Sequence, residues 1–138
     1  MKLFIDANIV VTACNKEYPD LPYVMRVLSL VDSGKYKLVT SSVCLAIAFY
    51  FATKKYGEIV AKQKISLLLE HIDVVDCGKK ETVLAAQNKM IHDFEDGLQY
   101  YAAVHSKCSC IITNDTDDFY FSDIEVLGPE SFLRKYFG

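Results

Sequence analysis

The chain of 138 residues lacks the features that mark several common classes of protein. It has no excess of basic residues: the formal net charge is −3, which argues against a general nucleic-acid-binding surface. The longest apolar run, residues 43–52, is too short to span a bilayer, so we expect no membrane contact. No repeat, linker or low-complexity segment interrupts the sequence. We therefore expect one globular domain over residues 1–138.

Paired cysteines are missing as well. The five cysteines form no CxxC motif, and Cys108-Ser-Cys110 has no second ligand pair that would complete a zinc site. We recognise no signal peptide at the start of the sequence. These observations predict reduced cysteines in a soluble, cytoplasmic protein.

What the sequence does have is a regular alternation of apolar strands and helical segments. Short, mostly apolar segments at 2–5 and 110–113 predict buried strands, while 58–71 and 80–91 carry apolar residues at helical spacing, which predicts helices there. The predicted order is β-α-α-β-α-α-β-α-α-β-β-α. Such alternation indicates an α/β fold in which helices cover a mostly parallel sheet of about five strands. The helix over 43–55 is apolar all round, so we expect it to be buried.

Acidic residues follow the strands at the edge where a parallel sheet forms its crevice. Asp6 closes the first strand, Asp115 and Asp118 follow the fourth, and Asp96 lies in the first turn of a helix. Because the carboxyl ends of neighbouring parallel strands meet in one crevice, these acids can converge there, where they repel each other unless a hard divalent cation lies between them. The pattern predicts chemistry assisted by Mg²⁺ or Mn²⁺ on a phosphate-containing substrate. The alternative for Asp6 is a cap for the following helix.

Other polar residues at the same edge are candidates for binding the substrate. We expect Asn8, Thr113 and Asn114 to hydrogen-bond a phosphate oxygen or a bound water. Asp93 is placed to be the N-cap of the helix that it precedes. Asp117 lies in a turn-forming sequence, and we expect it to be exposed.

Together these residues resemble the PIN domain family. The resemblance covers essentially the whole chain and rests on four blocks in the right order: residues 4–10, 41–50, 93–103, and 111–119 with 126–133. PIN domains are three-layer α/β/α nucleases, many of them the toxins of VapBC-type toxin–antitoxin pairs. Their acids bind Mg²⁺ or Mn²⁺ and activate water to cleave RNA. The resemblance implies the same fold and the same activity for this chain.

The resemblance also implies a role for each acid. Asp6, Asp96, Asp115 and Asp118 match the catalytic acids, with Asp6, Asp96 and Asp118 as the metal ligands. One position departs from the pattern, because Ile47 stands where the family usually carries an acid in the helix after the second strand. Two functions therefore stay open. The one we favour is a metal-dependent ribonuclease that is the toxin of a toxin–antitoxin pair; the alternative is a degenerate, non-catalytic PIN domain that binds RNA or a protein partner.

A protein partner is expected in either case. The aromatic residues Phe49, Tyr50, Phe51 and Tyr56 are candidates for an apolar surface that binds an antitoxin segment or a second copy of the chain. Packing of the same residues in the core is the alternative. The sequence does not decide between these two interpretations.

Overall fold

The computed structural model describes residues 1–138, which form five strands and seven α-helices in the predicted order. The strands are β1 (Lys2–Ile5), β2 (Lys37–Ser41), β3 (Asp73–Val75), β4 (Cys110–Ile112) and β5 (Glu125–Leu127). The helices are α1 (Ala7–Asn15), α2 (Leu21–Ser29), α3 (Ser42–Tyr56), α4 (Glu58–Leu68), α5 (Lys79–Gln87), α6 (Phe94–His105) and α7 (Pro129–Phe137). Two short 3₁₀ segments, Leu30–Ser33 and Thr116–Phe119, follow α2 and β4. None of the helices combines the length and the hydropathy that crossing a membrane would require.

The sheet is parallel throughout and has the strand order β3-β2-β1-β4-β5. β1 lies at its centre, where Phe4 pairs with Val39 of β2 and with Ile111 of β4. Successive residues of a strand face opposite sides of the sheet. Leu3 and Ile5 accordingly enter one buried cluster and Phe4 enters another. A core on each side of one sheet makes three layers, and the predicted α/β fold is confirmed.

The two faces of the sheet are covered by unequal numbers of helices. Residues from α1, α2, α3, α4 and α7 join Leu3 and Ile5 in the larger cluster. On the other face, Tyr100 and Ala103 of α6 pack near Phe4, and α5 packs on α6. Gly97 permits this last contact, because a side-chain carbon at that position would lie 2.9 Å from the Cβ of Ala85.

The prediction that α3 is buried on all sides was wrong. Only a stripe of small side chains, Cys44, Ala48 and Ala52, is buried. Small residues let α3 approach α1 closely, and the opposite side of the helix is left in solvent. Tyr50 is 55% exposed and Phe51 is 44% exposed. An apolar surface on α3 is thus available to a partner.

One buried acid lies outside the predicted crevice. Glu81 of α5 is only 6% exposed, and it accepts a hydrogen bond from the backbone N–H of Gly78 at 2.7 Å. Its other oxygen contacts Nδ1 of His105, at the end of α6. The hydrogen bond from His105 is the main cause that lowers the pKa of Glu81 below its usual range. The pair joins α5 to α6, and it has no connection to the acids at the strand ends.

Candidate functional site

The predicted site residues lie where β1, β2 and β4 end. All three strands run in the same direction, so their carboxyl ends share one edge of the sheet. Asp6 follows β1 directly, and Thr113 follows β4. The N-terminus of α6, which carries Asp96 in its first turn, contributes a further acid to this edge.

The carboxylate of Asp6 accepts two hydrogen bonds that have a structural role. Its Oδ1 accepts a hydrogen bond from the backbone N–H of Ala7 at 2.8 Å, so the carboxylate is the N-cap of α1. Its Oδ2 accepts one from Oγ1 of Thr113 at 2.8 Å. Burial raises the pKa of Asp6 to about 6, although these two hydrogen bonds favour the charged form. The charges of Asp115 and Glu95 raise this pKa further.

The predicted substrate-binding residues form a hydrogen-bonded network around Asp6. Nδ2 of Asn8 lies 3.0 Å from both Oγ1 of Thr113 and Oδ2 of Asp115, and 3.4 Å from Oδ2 of Asp6. The backbone N–H of Asn114 donates to Oδ1 of Asn8 at 3.1 Å. The network holds the loop after β4 against the start of α1, and it brings Asp115 next to Asn8. These residues have a positioning role in the structure, and their contact with a substrate stays a prediction.

Asp96 differs from Asp6 because its carboxylate makes no hydrogen bond within the protein. Its backbone N–H donates to Oδ1 of Asp93 at 3.1 Å, which confirms Asp93 as the N-cap of α6. Burial is the largest cause that raises the pKa of Asp96, to about 7, followed by the negative charges of Asp93, Asp6, Asp118 and Glu95. Asp6 and Asp118 are therefore close enough to Asp96 to repel it.

The acids after β4 lie on a short 3₁₀ turn. Asp118 is exposed, and its backbone N–H donates to the carbonyl oxygen of Asp115 at 3.0 Å. Asp117 is exposed as well, as predicted. Phe119 is buried beside Phe121 and fixes the turn to the core. Asp118 is thus free to change its rotamer, whereas Asp6 is held from both oxygens.

The donor set of this crevice fits a divalent cation. No three of the His, Cys, Asp and Glu side chains lie close enough together to surround one ion as the structure stands. Mg²⁺, however, is usually bound through one or two carboxylates and keeps several of its waters. Asp6 and Asp96 supply two carboxylates, and the negative charge of Asp6 contributes to the raised pKa of Asp96. A cation between them would relieve that repulsion. The exposed carboxylate of Asp118 is the third candidate ligand.

Two polar residues of this edge were missed from the sequence. Ser41 ends β2, and Oγ of Ser41 donates to Oε1 of Gln99 on α6 at 2.8 Å. Both side chains are almost completely buried. The available signal was a single amide within the apolar stretch 98–104 of a helix whose first turn carries Asp96. Burial is the main cause that raises the pKa of Cys44, and the negative charge of Asp6 is the second. The start of α3 therefore lies near Asp6.

A cavity lined mostly by apolar residues lies away from the acids. It has a volume of about 390 Å³ and lies between α1, α2 and α4, where Met25, Leu28 and Leu67 line it. None of the predicted site residues borders it. Most of its lining is apolar and none of the site acids reaches it, so the acidic crevice is the better candidate for the reaction and the cavity is a candidate for contact with an apolar partner.

The raised pKa values predict how stability depends on pH. In the absence of divalent cations, Asp6 and Asp96 are protonated in the folded protein at a pH where the unfolded chain has lost those protons. Their contribution to the free energy of unfolding is complete below about pH 4 and is lost as pH rises through about 6 to 7. For Asp6 alone this amounts to about 2–3 kcal/mol at pH 8, or roughly 5–10 °C in Tm.

Thermal unfolding in EDTA across this pH range measures the effect. We expect the Tm of the wild type to fall towards pH 8 relative to that of the double variant Asp6→Asn and Asp96→Asn, and we expect Mn²⁺ to raise only the wild-type value. Parallel pH profiles of the two proteins would contradict the assignment of this repulsion to the two acids.

Known proteins share both the sequence pattern and the fold. A sequence profile of the PIN domain matches residues 2–117. Ribonuclease VapC1 of Aquifex aeolicus (strain VF5) is 30% identical over 139 residues, which cover 98% of this chain and 95% of that protein. The solved structure of VapBC2 from Rickettsia felis, bound to a DNA fragment from their promoter, has a TM-score of 0.73 at 21% identity and covers 91% of this chain and 97% of that chain. Mycobacterium tuberculosis VapC20, a Sarcin-Ricin loop cleaving toxin, has a TM-score of 0.70 at 15% identity, over 90% of this chain and 98% of that chain.

These matches agree with the resemblance found in the sequence. The profile spans all of the strands except β5 and reaches the loop that carries Asp115. The relative from Aquifex aeolicus is matched over nearly the whole length of both proteins. The parallel sheet with acids at the carboxyl ends of β1 and β4 is the arrangement that the resemblance implied. This chain belongs to the PIN domain family.

Proposed function

We propose that the protein is a metal-dependent ribonuclease that cleaves RNA phosphodiester bonds at the crevice of Asp6 and Asp96. The observation that carries the proposal is that Asp6, at the end of β1, and Asp96, in the first turn of α6, lie at one edge of the sheet, where the carboxylate of Asp96 has no hydrogen-bond donor. Burial raises the pKa of Asp96, and the negative charges of Asp93, Asp6 and Asp118 raise it further. Acids whose pKa values are raised by burial and by neighbouring carboxylates are typical of functional sites, and a bound cation offsets their repulsion. Membership of the PIN domain family and the likeness to a ribonuclease of Aquifex aeolicus support RNA as the substrate.

Asp6, Asp96 and Asp118 would hold Mg²⁺ or Mn²⁺, with Asp115 beside them. When bound, such a cation lowers the pKa of a water molecule and neutralises charge that develops on the phosphoryl oxygens. The rest of the site positions these acids. Thr113 and the N-terminus of α1 fix both oxygens of Asp6. Asn8 holds Asp115 and the loop after β4 against the start of α1, and its Oδ1 accepts the backbone N–H of Asn114.

A specific observation favours the second candidate function. Ile47 lies on α3, half-buried against the cluster that contains Phe4 and Cys44, and it cannot bind a cation. A PIN domain without the acid at this position has one ligand fewer. The loss of a supporting group commonly weakens metal affinity or activity by about 10–100-fold. A non-catalytic domain that binds RNA or a protein is therefore the alternative to test.

We also propose that the chain binds a protein partner as the toxin of a toxin–antitoxin pair. The likeness to VapBC2 of Rickettsia felis supports this proposal. The chain offers apolar surface on two sides: Met25 and Leu67 are exposed at the cavity, and Tyr50 and Phe51 are exposed on α3. A second copy of the chain is the other occupant that these surfaces fit. All five cysteines are unpaired, which suits the reducing cytoplasm in which such a pair would act.

Cleavage of single-stranded RNA by the purified protein tests the activity. We expect cleavage with Mg²⁺ or Mn²⁺ and none with EDTA, because the acids alone repel the phosphate. Ca²⁺, which has different demands on ligand number and geometry, serves as the matched control cation. Cleavage that persists in EDTA would point to a contaminating nuclease or to another chemistry, and binding of RNA without cleavage in both metals would favour the non-catalytic alternative.

A further inference from the structure

Gln99 has an unused hydrogen-bond donor deep within the protein. The residue lies in the middle of α6 and is 1% exposed. Its Oε1 accepts a hydrogen bond from Oγ of Ser41, whereas its Nε2 is buried without any partner. Buried amide nitrogens are nearly always paired. The two N–H groups of this amide therefore indicate a ligand that is not part of the polypeptide.

Ser41 fixes the orientation of the amide. Oγ of Ser41 accepts the backbone N–H of Cys44 at 3.2 Å, because Ser41 is the N-cap of α3. The single hydroxyl hydrogen of Ser41 is left to donate, and it requires an oxygen as its acceptor. In the structure Oε1 of Gln99 accepts this hydrogen, which leaves Nε2 for another acceptor.

A carboxylate without a hydrogen-bond donor lies on the same helix and belongs to the candidate site. Asp96 precedes Gln99 by three positions on α6, and residues at this spacing share one side of a helix. The carboxylate of Asp96 has no donor, and the amide of Gln99 has no acceptor. Ser41 holds this amide at the end of β2; continuing the pairing of Phe4 with Val39 by two residues places Ser41 beside Asp6. The unused donor and the unused acceptor thus lie at the same edge of the sheet.

We propose that Gln99 is a positioning residue for Asp96, to which its Nε2 donates through one buried water molecule. The link runs through water because the structure has no direct hydrogen bond between the two side chains, and a buried water needs at least two polar partners, which they supply. This series of hydrogen bonds, from Ser41 through Gln99 and the water to Asp96, holds the carboxylate of Asp96 in one rotamer that can bind a cation. This inference rests on the proposed function of the same site, and it adds a residue that supports the metal ligand from behind.

Gln99→Met tests the role of the amide, because methionine has a similar length and no hydrogen-bonding amide. We expect about a tenfold loss of Mn²⁺ affinity, measured by calorimetry on the RNA-free protein. In RNA cleavage, we expect kcat to fall by a similar factor with KM unchanged, because the amide does not touch the substrate. The Tm in EDTA should stay within a few degrees, since the variant also removes an unpaired polar group. Gln63→Met, at an exposed position within α4, is the matched control and should leave the affinity unchanged.

A crystal structure of the wild-type protein supplies the second measurement, which does not depend on how well the variant folds. It should contain a water within hydrogen-bond distance of both Nε2 of Gln99 and a carboxylate oxygen of Asp96. A Gln99 amide without such a water, or an unchanged Mn²⁺ affinity in a folded Gln99→Met protein, would overturn the inference. Neither the Mn²⁺ affinity nor the crystal structure requires RNA. If the wild type fails to cleave RNA, the proposed function fails while the role of Gln99 is still decided.

Discussion

Asp96→Asn is expected to lower the rate of metal-dependent RNA cleavage by at least about 10²-fold, the loss typical when one preorganised electrostatic group is removed from a reaction centre. Asparagine has nearly the same shape as aspartate but carries no charge for a cation. The substitution removes no hydrogen bond, because the carboxylate of Asp96 has none within the protein. The measurement is the single-turnover cleavage rate with saturating Mn²⁺.

The fold of this variant should be intact or more stable than the wild type. The backbone N–H of Asp96 keeps its bond to Asp93, and the repulsion from Asp6 and Asp118 disappears. A lost rate together with an equal or higher Tm thus separates catalysis from folding. Asp117→Asn is the matched control, since Asp117 is an exposed acid one residue from Asp118. Equal rates for Asp96→Asn and the wild type would remove Asp96 from the site.

Ile47→Glu is expected to raise Mn²⁺ affinity by about 10-fold and RNA cleavage by up to about 100-fold, the range within which supporting groups of metal sites act. Ile47 lies one helical turn after Cys44, whose pKa responds to the charge of Asp6, so a carboxylate at position 47 faces the same crevice. The added charge increases repulsion among the acids. In EDTA the variant should therefore unfold at a lower temperature than the wild type, and Mn²⁺ should raise its Tm by more.

Ile47→Gln separates the effect of charge from that of shape. The amide is as long as the glutamate side chain and disturbs the packing near Phe4 similarly, but it should not raise Mn²⁺ affinity. If the wild type does not cleave RNA in either metal and Ile47→Glu does, the chain is a non-catalytic PIN domain and our leading proposal is wrong. If both proteins cleave, the acid is dispensable at this position.

The order of strands and helices could be predicted because each element has its own local signal. β1 after its first residue and the whole of β4 are apolar, and Ser41 lies where a cap is needed before α3. Pro129 comes at the first position of α7, where its missing N–H has no cost. These signals depend on neighbouring residues alone, so no knowledge of tertiary contacts was required.

The errors arose where tertiary contacts decide. We expected a helix over 80–91, but α5 ends at Gln87. Oδ1 of Asn88 accepts the backbone N–H of Met90, and Nδ2 of Asn88 donates to the hydroxyl of Tyr101 on α6. Asn88 leaves the helical conformation to make these bonds, and nothing near it in the sequence announces its partner on α6. The error about α3 has the same cause, because hydropathy alone does not show whether another helix covers its aromatic side.

The candidate site divides in a similar way. The acids were predictable because parallel strands bring their ends to one edge, whatever the details of packing. The bond between Ser41 and Gln99 was not, since it joins residues 58 positions apart in the chain and depends on how α6 crosses the sheet. The network of Asn8, Thr113 and Asp115 was predicted only as a set of separate binding residues. Their mutual hydrogen bonds became apparent in the structure.

The hydrogen bonds to both oxygens of Asp6 bear on how the sequences of distant relatives should be interpreted. Asp6 is the N-cap of α1 and stabilises that helix, so we expect a related protein that no longer cleaves RNA to keep it. Asp96 holds no element together and carries an unfavourable charge. Selection for folding alone would discard it. Among related sequences we therefore expect the residue aligned with Asp96 to be lost in proteins that no longer cleave RNA, whereas the residue aligned with Asp6 is kept.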